Sequence, residues 1–175
     1  RERLGFGGAP LGNLYQAVDD DQAEQALAAA WALGLRYFDT APLYGNGLSE
    51  QRIGRFLRGQ QRDSFVLSSK VGRVLTADAS AGDAQSGYVQ APRCRVMFDY
   101  SADGALRSID DSLRRLGVDR LDIAYIHDID VHTHGALQPQ RFREAMEGAL
   151  PALLRLRREG VLRAVGLGVN ETQPC

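Results

Sequence analysis

The chain has 175 residues and a mass of 19.1 kDa, with 44% apolar and 25% charged residues and a formal net charge of −1. That is enough chain for one sizeable core in an ordinary globular composition. It carries no basic footprint for nucleic acid or a membrane surface, and no apolar run approaches the roughly 20 residues of a membrane helix. Cys94 and Cys175 are too few for a disulfide framework and fit a reducing cytoplasm. The sequence opens at Arg1 without a charged-then-apolar signal segment and stops at Cys175; both ends read as cut edges of a longer protein.

Residues 4–8, Leu4-Gly5-Phe6-Gly7-Gly8, read as a short strand whose glycines suit close backbone approach. Residues 9–18 read as a loop. Asp19, Asp20 and Asp21 then open a helix at the end where acids are favoured. Ala23, Leu27, Ala30, Trp31 and Gly34 follow helical spacing, with Trp31 a packing residue. Residues 35–39 form a second strand, and Pro42, Gly45, Asn46 and Gly47 break the chain after it. The Ser49 hydroxyl is expected to cap a helix over about 50–57. Residues 64–70 are a third strand ending on Lys70; such a lysine, alone, is ordinarily a solvated charge. Residues 71–100 read as a long loop without a period, in which Gly87, Tyr88, Phe98 and Tyr100 either line a substrate mouth or anchor the loop. Ser101 caps the next helix. Leu106, Ile109, Leu113 and Leu116 make its buried stripe, and Asp110, Asp111, Arg114 and Arg115 its solvated side. Residues 121–127 are a nearly continuous apolar strand ending on His127. A short helical turn over 141–146 is expected, then a helix with Pro151 in its first turn, and a fifth strand over 161–169 ending at Asn170.

Strands alternating with helices predict a parallel sheet with right-handed crossovers. The sequence lacks G-x-G-x-x-G after the first strand, which speaks against a dinucleotide-binding open sheet. A full eight-unit barrel takes about 200–250 residues or more, and this chain supplies a little over half of one.

Asp39, Tyr44, Lys70 and His127 all fall at the C-terminal ends of successive strands, where parallel folds bind ligands. An acid, a phenol, an amine and an imidazole on one rim suit proton transfer coupled to hydride transfer. A free phenol, with a pKa of about 10, is a poor donor at neutral pH, and a neighbouring ammonium stabilises its phenolate. Lys70 is positioned to do this for Tyr44, Asp39 to hold Lys70, and His127 to bond the carbonyl or hydroxyl oxygen. The hydride itself requires a nicotinamide cofactor.

With these residues in place the chain resembles the aldo-keto reductases. The likeness lies in Leu4-Gly5-Phe6-Gly7-Gly8, Tyr37-Phe38-Asp39-Thr40-Ala41-Pro42-Leu43-Tyr44-Gly45, Ser68-Ser69-Lys70-Val71-Gly72-Arg73 and Asp122-Ile123-Ala124-Tyr125-Ile126-His127-Asp128. It covers essentially the whole chain. Phe98-Asp99-Tyr100-Ser101, His127-Asp128-Ile129-Asp130 and Gly166-Leu167-Gly168-Val169-Asn170 are similar to the branch that oxidises aldoses, with pyridoxal dehydrogenases as relatives. The resemblance implies an α/β fold of (β/α)8 TIM-barrel type, here a partial barrel of about five strands and four helices. Residues 1–175 would be a single domain, the N-terminal portion of that barrel. It implies NADP or NAD as cofactor and a small-molecule aldose or aldehyde as substrate. It implies Asp39, Tyr44, Lys70 and His127 as the catalytic tetrad. Gly8, Ala9, Asp39 and Asn170 would lie against the nicotinamide, Asn170 holding its carboxamide. Val169 stands where many members have Ser.

As a partial barrel the 175 residues would expose the first and fifth strands as sheet edges, an association hazard that makes a homo-oligomer a candidate state. Two other readings compete. His127, His132 and His134 lie close together beside Asp128 and Asp130, as in a metal-dependent barrel hydrolase, although His132 and His134 sit in a loop beyond the fourth strand. A non-catalytic half-barrel that assembles with a partner is the third.

Overall fold

The computed structural model describes residues 4–82, 84 and 86–175. Its main sheet has five strands, β1 (Phe6–Gly7), β2 (Tyr37–Asp39), β3 (Val66–Val71), β6 (Ile123–His127) and β7 (Ala164–Gly168), all parallel and in that spatial order. Between β3 and the following helix stands an antiparallel pair, β4 (Arg73–Ala77) and β5 (Cys94–Phe98). The crossovers run through α1 (Asp20–Ala32), α2 (Leu48–Leu57), α3 (Ala102–Leu116) and a broken helical stretch. That stretch contains α4 (Val131–His134), α5 (Gln138–Glu144) and α6 (Leu150–Arg158). Each parallel strand neighbours the next in sequence, the order of a barrel segment wound in one direction. Among the described residues no helix is long and apolar enough to cross a membrane.

Strand alternation divides the side chains between the faces of this sheet. Phe38, Leu67, Val71, Ala124 and Ile126 face the helices and meet Leu27, Ile53, Leu57, Ile109, Leu116 and Leu153 in one buried cluster. Trp31 stacks on Phe38 at 6.2 Å between ring centroids and meets Phe56 and Phe65 edge-on, the packing role its spacing implies. The opposite face carries Tyr37, Asp39, Ser68, Lys70, Tyr125 and His127, which the register sets side by side. The sheet therefore has an oily outer face and a polar inner one.

Local chemistry explains the elements. Asp19 accepts from the Gln22 amide at 2.7 Å while the Gln22 side chain accepts from the Asp19 amide, a reciprocal cap at the start of α1. Ser101 caps α3 by accepting from the Gly104 amide. Asp122 is 1% exposed and accepts from the Leu67 amide at 2.8 Å and from Arg62 at 2.7 Å, tying β3 to the start of β6.

Four expectations from the sequence need correction. Residues 71–100 are not wholly irregular: Gly72 turns the chain at φ +103°, where a Cβ would overlap the Tyr100 ring, and β4 and β5 pair beyond it. Their loose alternation of polar and apolar residues gave no clear period. Ser49 does not cap α2; the helix starts at Leu48 after Gly47, and the Ser49 hydroxyl donates to the Gly8 carbonyl at 2.7 Å. Arg115 is not solvated. It reaches across to Glu50, which is fully buried, at 2.5 Å, and Ser69 donates to the same carboxylate at 2.7 Å. Helical spacing placed Arg115 off the leucine stripe, but a long guanidinium follows a carboxylate that the neighbouring helix buries. Finally, the turn expected over 141–146 belongs to a longer helical stretch that starts at Val131.

Candidate active site

Asp39, Lys70 and His127 end β2, β3 and β6 on the inner face, and Tyr44 follows β2 in a tight turn. That turn is fixed by a close backbone crossing. A Cβ on Gly12 would overlap the Tyr44 carbonyl group, and one on Gly45, at φ +64°, would overlap Gly12. Only glycine at both positions lets the turn over Ala9–Gly12 lie against Tyr44. Arg52 fastens the same turn from α2 by donating to the Leu11 and Val18 carbonyls and to Asn13.

The Lys70 ammonium donates to Asp39 Oδ2 at 2.6 Å and to the Thr40 carbonyl at 2.9 Å, and lies 4.6 Å from the centre of the Tyr44 ring. Lys70 is only 7% exposed against 26% for Asp39, so the pair is largely dry and opens to water from the acid's side. His127 meets the Tyr44 ring edge-on at 5.9 Å. Burial, helped by the Lys70 and Arg73 charges, holds the His127 imidazole well below its usual range, so it is neutral near pH 7. Its 3.4 Å approach to Asp128 Oδ2 is therefore a polar contact, not an ion pair. Its Nδ1 is buried without a hydrogen-bond partner among the described residues.

Sequence reasoning missed several groups around these four. Ser68 donates to Asp39 Oδ1 at 2.6 Å, and Tyr37 and Tyr125 extend that contact along the inner face. Counting by twos from Asp39, Lys70 and His127 finds all three. Arg73 binds Asp128 at 2.7 Å behind His127, and no spacing rule announces that pair. The Tyr100 hydroxyl donates to the His127 and Asp128 carbonyls at 2.8 and 3.0 Å and lies 3.0 Å from His134 Nε2. Its single proton is shared between the two carbonyls, so in the His134 contact the hydroxyl accepts from the imidazole N–H. Tyr88 packs at 6.1 Å on Tyr44 and beside Leu43, as a wall of the site, whereas Tyr100 is an anchor.

The residues expected at the nicotinamide are placed as follows. The Gly8 amide donates to the Asp39 carbonyl at 2.8 Å, and Ala9 begins the turn beyond it. Asn170 lies just past β7, its side-chain amide donating to Asp128 Oδ1 at 3.1 Å and Asp130 Oδ2 at 3.3 Å. Burial alone would raise the Asp130 carboxyl, yet hydrogen bonds from Asn170 and Thr133 outweigh it and hold the group below its usual range. A cleft of about 360 Å³ runs over the inner face, with Gly7, Asp39, Lys70 and Gly168 at its upper rim and Tyr37 and Tyr125 below. Gly7 has nothing within 4 Å of a Cβ position, so the rim is bare backbone beside a charged pair. These residues fit a flat amide-bearing ring: an open floor beside the Asp39–Lys70 pair, and an Asn170 whose carbonyl oxygen is an acceptor for a carboxamide.

The three histidines do not converge. His134 packs on Phe98 at 4.4 Å and bonds Tyr100, and the exposed His132 backbone bonds Glu171. Among the described residues no three His, Cys, Asp or Glu side chains are set to hold a metal ion.

The sequence profile of the Aldo/keto reductase family matches residues 3–173. The chain is 42% identical over 169 residues to a D-threo-aldose 1-dehydrogenase from Pseudomonas sp., which covers 94% of this chain and 49% of that protein. It is 40% identical to a pyridoxal 4-dehydrogenase from Microbacterium luteolum, over 97% of this chain and 52% of the relative. The chain thus spans about half the length of these curated relatives. Among solved structures, the holo form of an aldo-keto reductase from Bacillus halodurans superposes with a TM-score of 0.68 at 28% identity, over 95% of this chain and 46% of the other. An aldo-keto reductase from Klebsiella pneumoniae in complex with NADPH gives 0.62 at 26% identity, over 97% and 46%.

Proposed function

The chain belongs to the aldo/keto reductase family, and on that premise we propose that it carries the proton-transfer site of an NAD(P)-dependent oxidoreductase acting on an aldose or small aldehyde. Residues 1–175 are read as the N-terminal, single-domain portion of a barrel. The observation that carries this is the Lys70 ammonium, 2.6 Å from Asp39 and 4.6 Å from the Tyr44 ring centre, with neutral His127 on the same ring.

In the oxidative direction Tyr44, as phenolate, takes the proton from the substrate hydroxyl; in reduction it returns that proton to the carbonyl oxygen. The Lys70 ammonium, beside the Tyr44 ring, favours negative charge on that side chain, and Asp39 holds the ammonium in place. His127, edge-on to the Tyr44 ring, bonds the substrate oxygen. The bound nicotinamide supplies the hydride acceptor or donor. Gly8, Ala9, Asp39 and Asn170 would hold it, Asn170 at the carboxamide. Tyr88 and Leu43 exclude water beside Tyr44, which strengthens the charge interactions there.

The aldose and pyridoxal relatives direct the substrate search. The test is turnover by the full-length protein that carries this chain, followed by nicotinamide absorbance. The panel is L-fucose, D-galactose, D-arabinose and pyridoxal, each with NAD and NADP. Turnover of one sugar or aldehyde with one dinucleotide is the expected result. A well-folded protein that binds neither dinucleotide overturns the reading in favour of a non-catalytic half-barrel.

A further inference from the structure

The inner face carries three hydroxyls that the proton-transfer scheme does not use. Tyr125 Oη lies 3.0 Å from Tyr37 Oη, Tyr37 Oη lies 3.0 Å from Ser68 Oγ, and Ser68 Oγ lies 2.6 Å from Asp39 Oδ1. The far oxygen of Asp39 meets Lys70. A carboxylate only accepts, so the single Ser68 proton goes to Asp39. The Ser68 oxygen is then the acceptor for Tyr37, and the Tyr37 oxygen the acceptor for Tyr125. Proton counting leaves one arrangement, with every O–H pointing towards Asp39.

We propose that Tyr125, Tyr37 and Ser68 are positioning residues: a one-directional hydrogen-bond string that ends on Asp39 and, through it, holds Lys70 in place for proton transfer at Tyr44. The inference rests on the catalytic reading above. Register supports it, because Ser68 is directly opposite Asp39 and Tyr125 directly opposite Lys70 across neighbouring strands. Ser68 is fully buried, so water does not replace its contact with Asp39. Burial raises the Tyr37 phenol far above its usual range, so it stays a donor throughout the working pH range. Phenylalanine at positions 37 and 125 would fill the same volume without a polar atom to satisfy. Each link in such a chain polarises the next, which makes the last bond, to the charged group, the strongest.

The charged and titratable groups facing this pair are few. Asp39 faces Lys70 from β3 and Tyr37 from its own strand. Tyr44 faces Lys70, His127 from β6 and Tyr88 from the loop between β4 and β5, with Asp128 and Arg73 behind His127. None of them offers Asp39 Oδ1 a substitute for the Ser68 donor.

The test uses the full-length protein with Ser68→Ala, Ser68→Thr, Tyr37→Phe and Tyr125→Phe, reading kcat, KM, the pH profile of kcat/KM and thermal stability. Loss of a hydrogen bond to a charged group sets the expected scale at about tenfold in kcat for Ser68→Ala. Tyr37→Phe loses a few-fold and Tyr125→Phe less, since each acts one link further away. The profile moves in the same order, KM stays near wild type, and Ser68→Thr, which keeps the hydroxyl, restores kcat. In the apoprotein, the Lys70 ammonium signal in nuclear magnetic resonance, assigned with Lys70→Met, broadens in Ser68→Ala. Stability losses with wild-type kcat, pH profile and Lys70 signal would mean the hydroxyls only pack, and would overturn the proposal. Tyr44→Phe separates the two readings. If it stays fully active, the catalytic reading fails. If it is inactive while Tyr37→Phe and Ser68→Ala match wild type, the string alone fails.

Discussion

Lys70→Met tests whether the Asp39–Lys70 pair serves stability, catalysis or both. The variant keeps the side chain's length and removes its charge. Lys70 is 7% exposed and its ammonium bonds Asp39 Oδ2 and the Thr40 carbonyl. Removing it leaves Asp39 with Ser68 as its remaining donor. Breaking a buried pair costs roughly 3–5 kcal/mol, and the quarter of Asp39 that stays in water puts this case near the lower end, about 3 kcal/mol. Asp39→Asn strands the ammonium instead and costs a similar amount. The double variant removes both charges, so its stability loss falls well short of the sum of the singles, by about 2 kcal/mol or more. Activity behaves differently: each single and the double lose roughly 10²–10⁴-fold in kcat, the usual range for assisted proton transfer. Urea unfolding gives the stabilities and nicotinamide absorbance gives the rates. A double variant that recovers activity along with stability, or a Lys70→Met enzyme within a few-fold of wild type, would refute this assignment of the ammonium.

Other outcomes follow from the same geometry. Burial, first, and nearby cations hold both His127 and His134 below their usual range, so the unfolded chain takes up protons before the folded one. Stability is thus complete above about pH 6.5 and falls as pH drops below it. Thermal melting against pH should show this decline, and His127→Asn should flatten it; a melting temperature indifferent to acid over that range contradicts the burial argument. Gly12→Ala forces a methyl into the Tyr44 backbone, so about 1–3 kcal/mol of stability and most of the activity should be lost together, read by calorimetry and turnover. Arg115→Ala leaves the fully buried Glu50 with Ser69 as its remaining partner and should cost roughly 3–5 kcal/mol, largely relieved by adding Glu50→Gln; urea midpoints of the two variants check it.

Most of the architecture was legible in the sequence because the strands carry long-range information in a short-range pattern. Tyr37, Phe38 and Asp39 show both faces of β2 in three residues, and the run into His127 is apolar enough to mark a strand covered by helices. The four rim residues were visible because Asp39, Lys70 and His127 lie at the C-terminal ends of their strands and Tyr44 in the turn after one, positions that a parallel fold turns towards ligand. What stayed hidden depends on partners distant in sequence. Arg115 looked like an ordinary helix-surface charge until two helices packed it against Glu50. Arg73 and Asp128 sit 55 positions apart and meet because Gly72 reverses the chain. Ser49 has the right chemistry for a helix cap, but its hydroxyl goes to the Gly8 carbonyl and Thr40. The inner hydroxyl string lay in the period-two pattern, yet chemistry gave no reason to count from Asp39 to Tyr37 until the distances did.

The most direct measurement is single-turnover reduction of the nicotinamide dinucleotide by the full-length protein and its Tyr44→Phe variant, each saturated with the sugar or aldehyde that wild type oxidises. Phenylalanine keeps the ring that packs on Tyr88 and His127 and removes only the proton acceptor. The expected result is dinucleotide binding as in wild type with the rate of reduction lowered at least 100-fold, on the order of the general acid–base contribution. A Tyr44→Phe enzyme that reduces the dinucleotide at the wild-type rate would contradict the assignment of Tyr44 as the group that moves the proton.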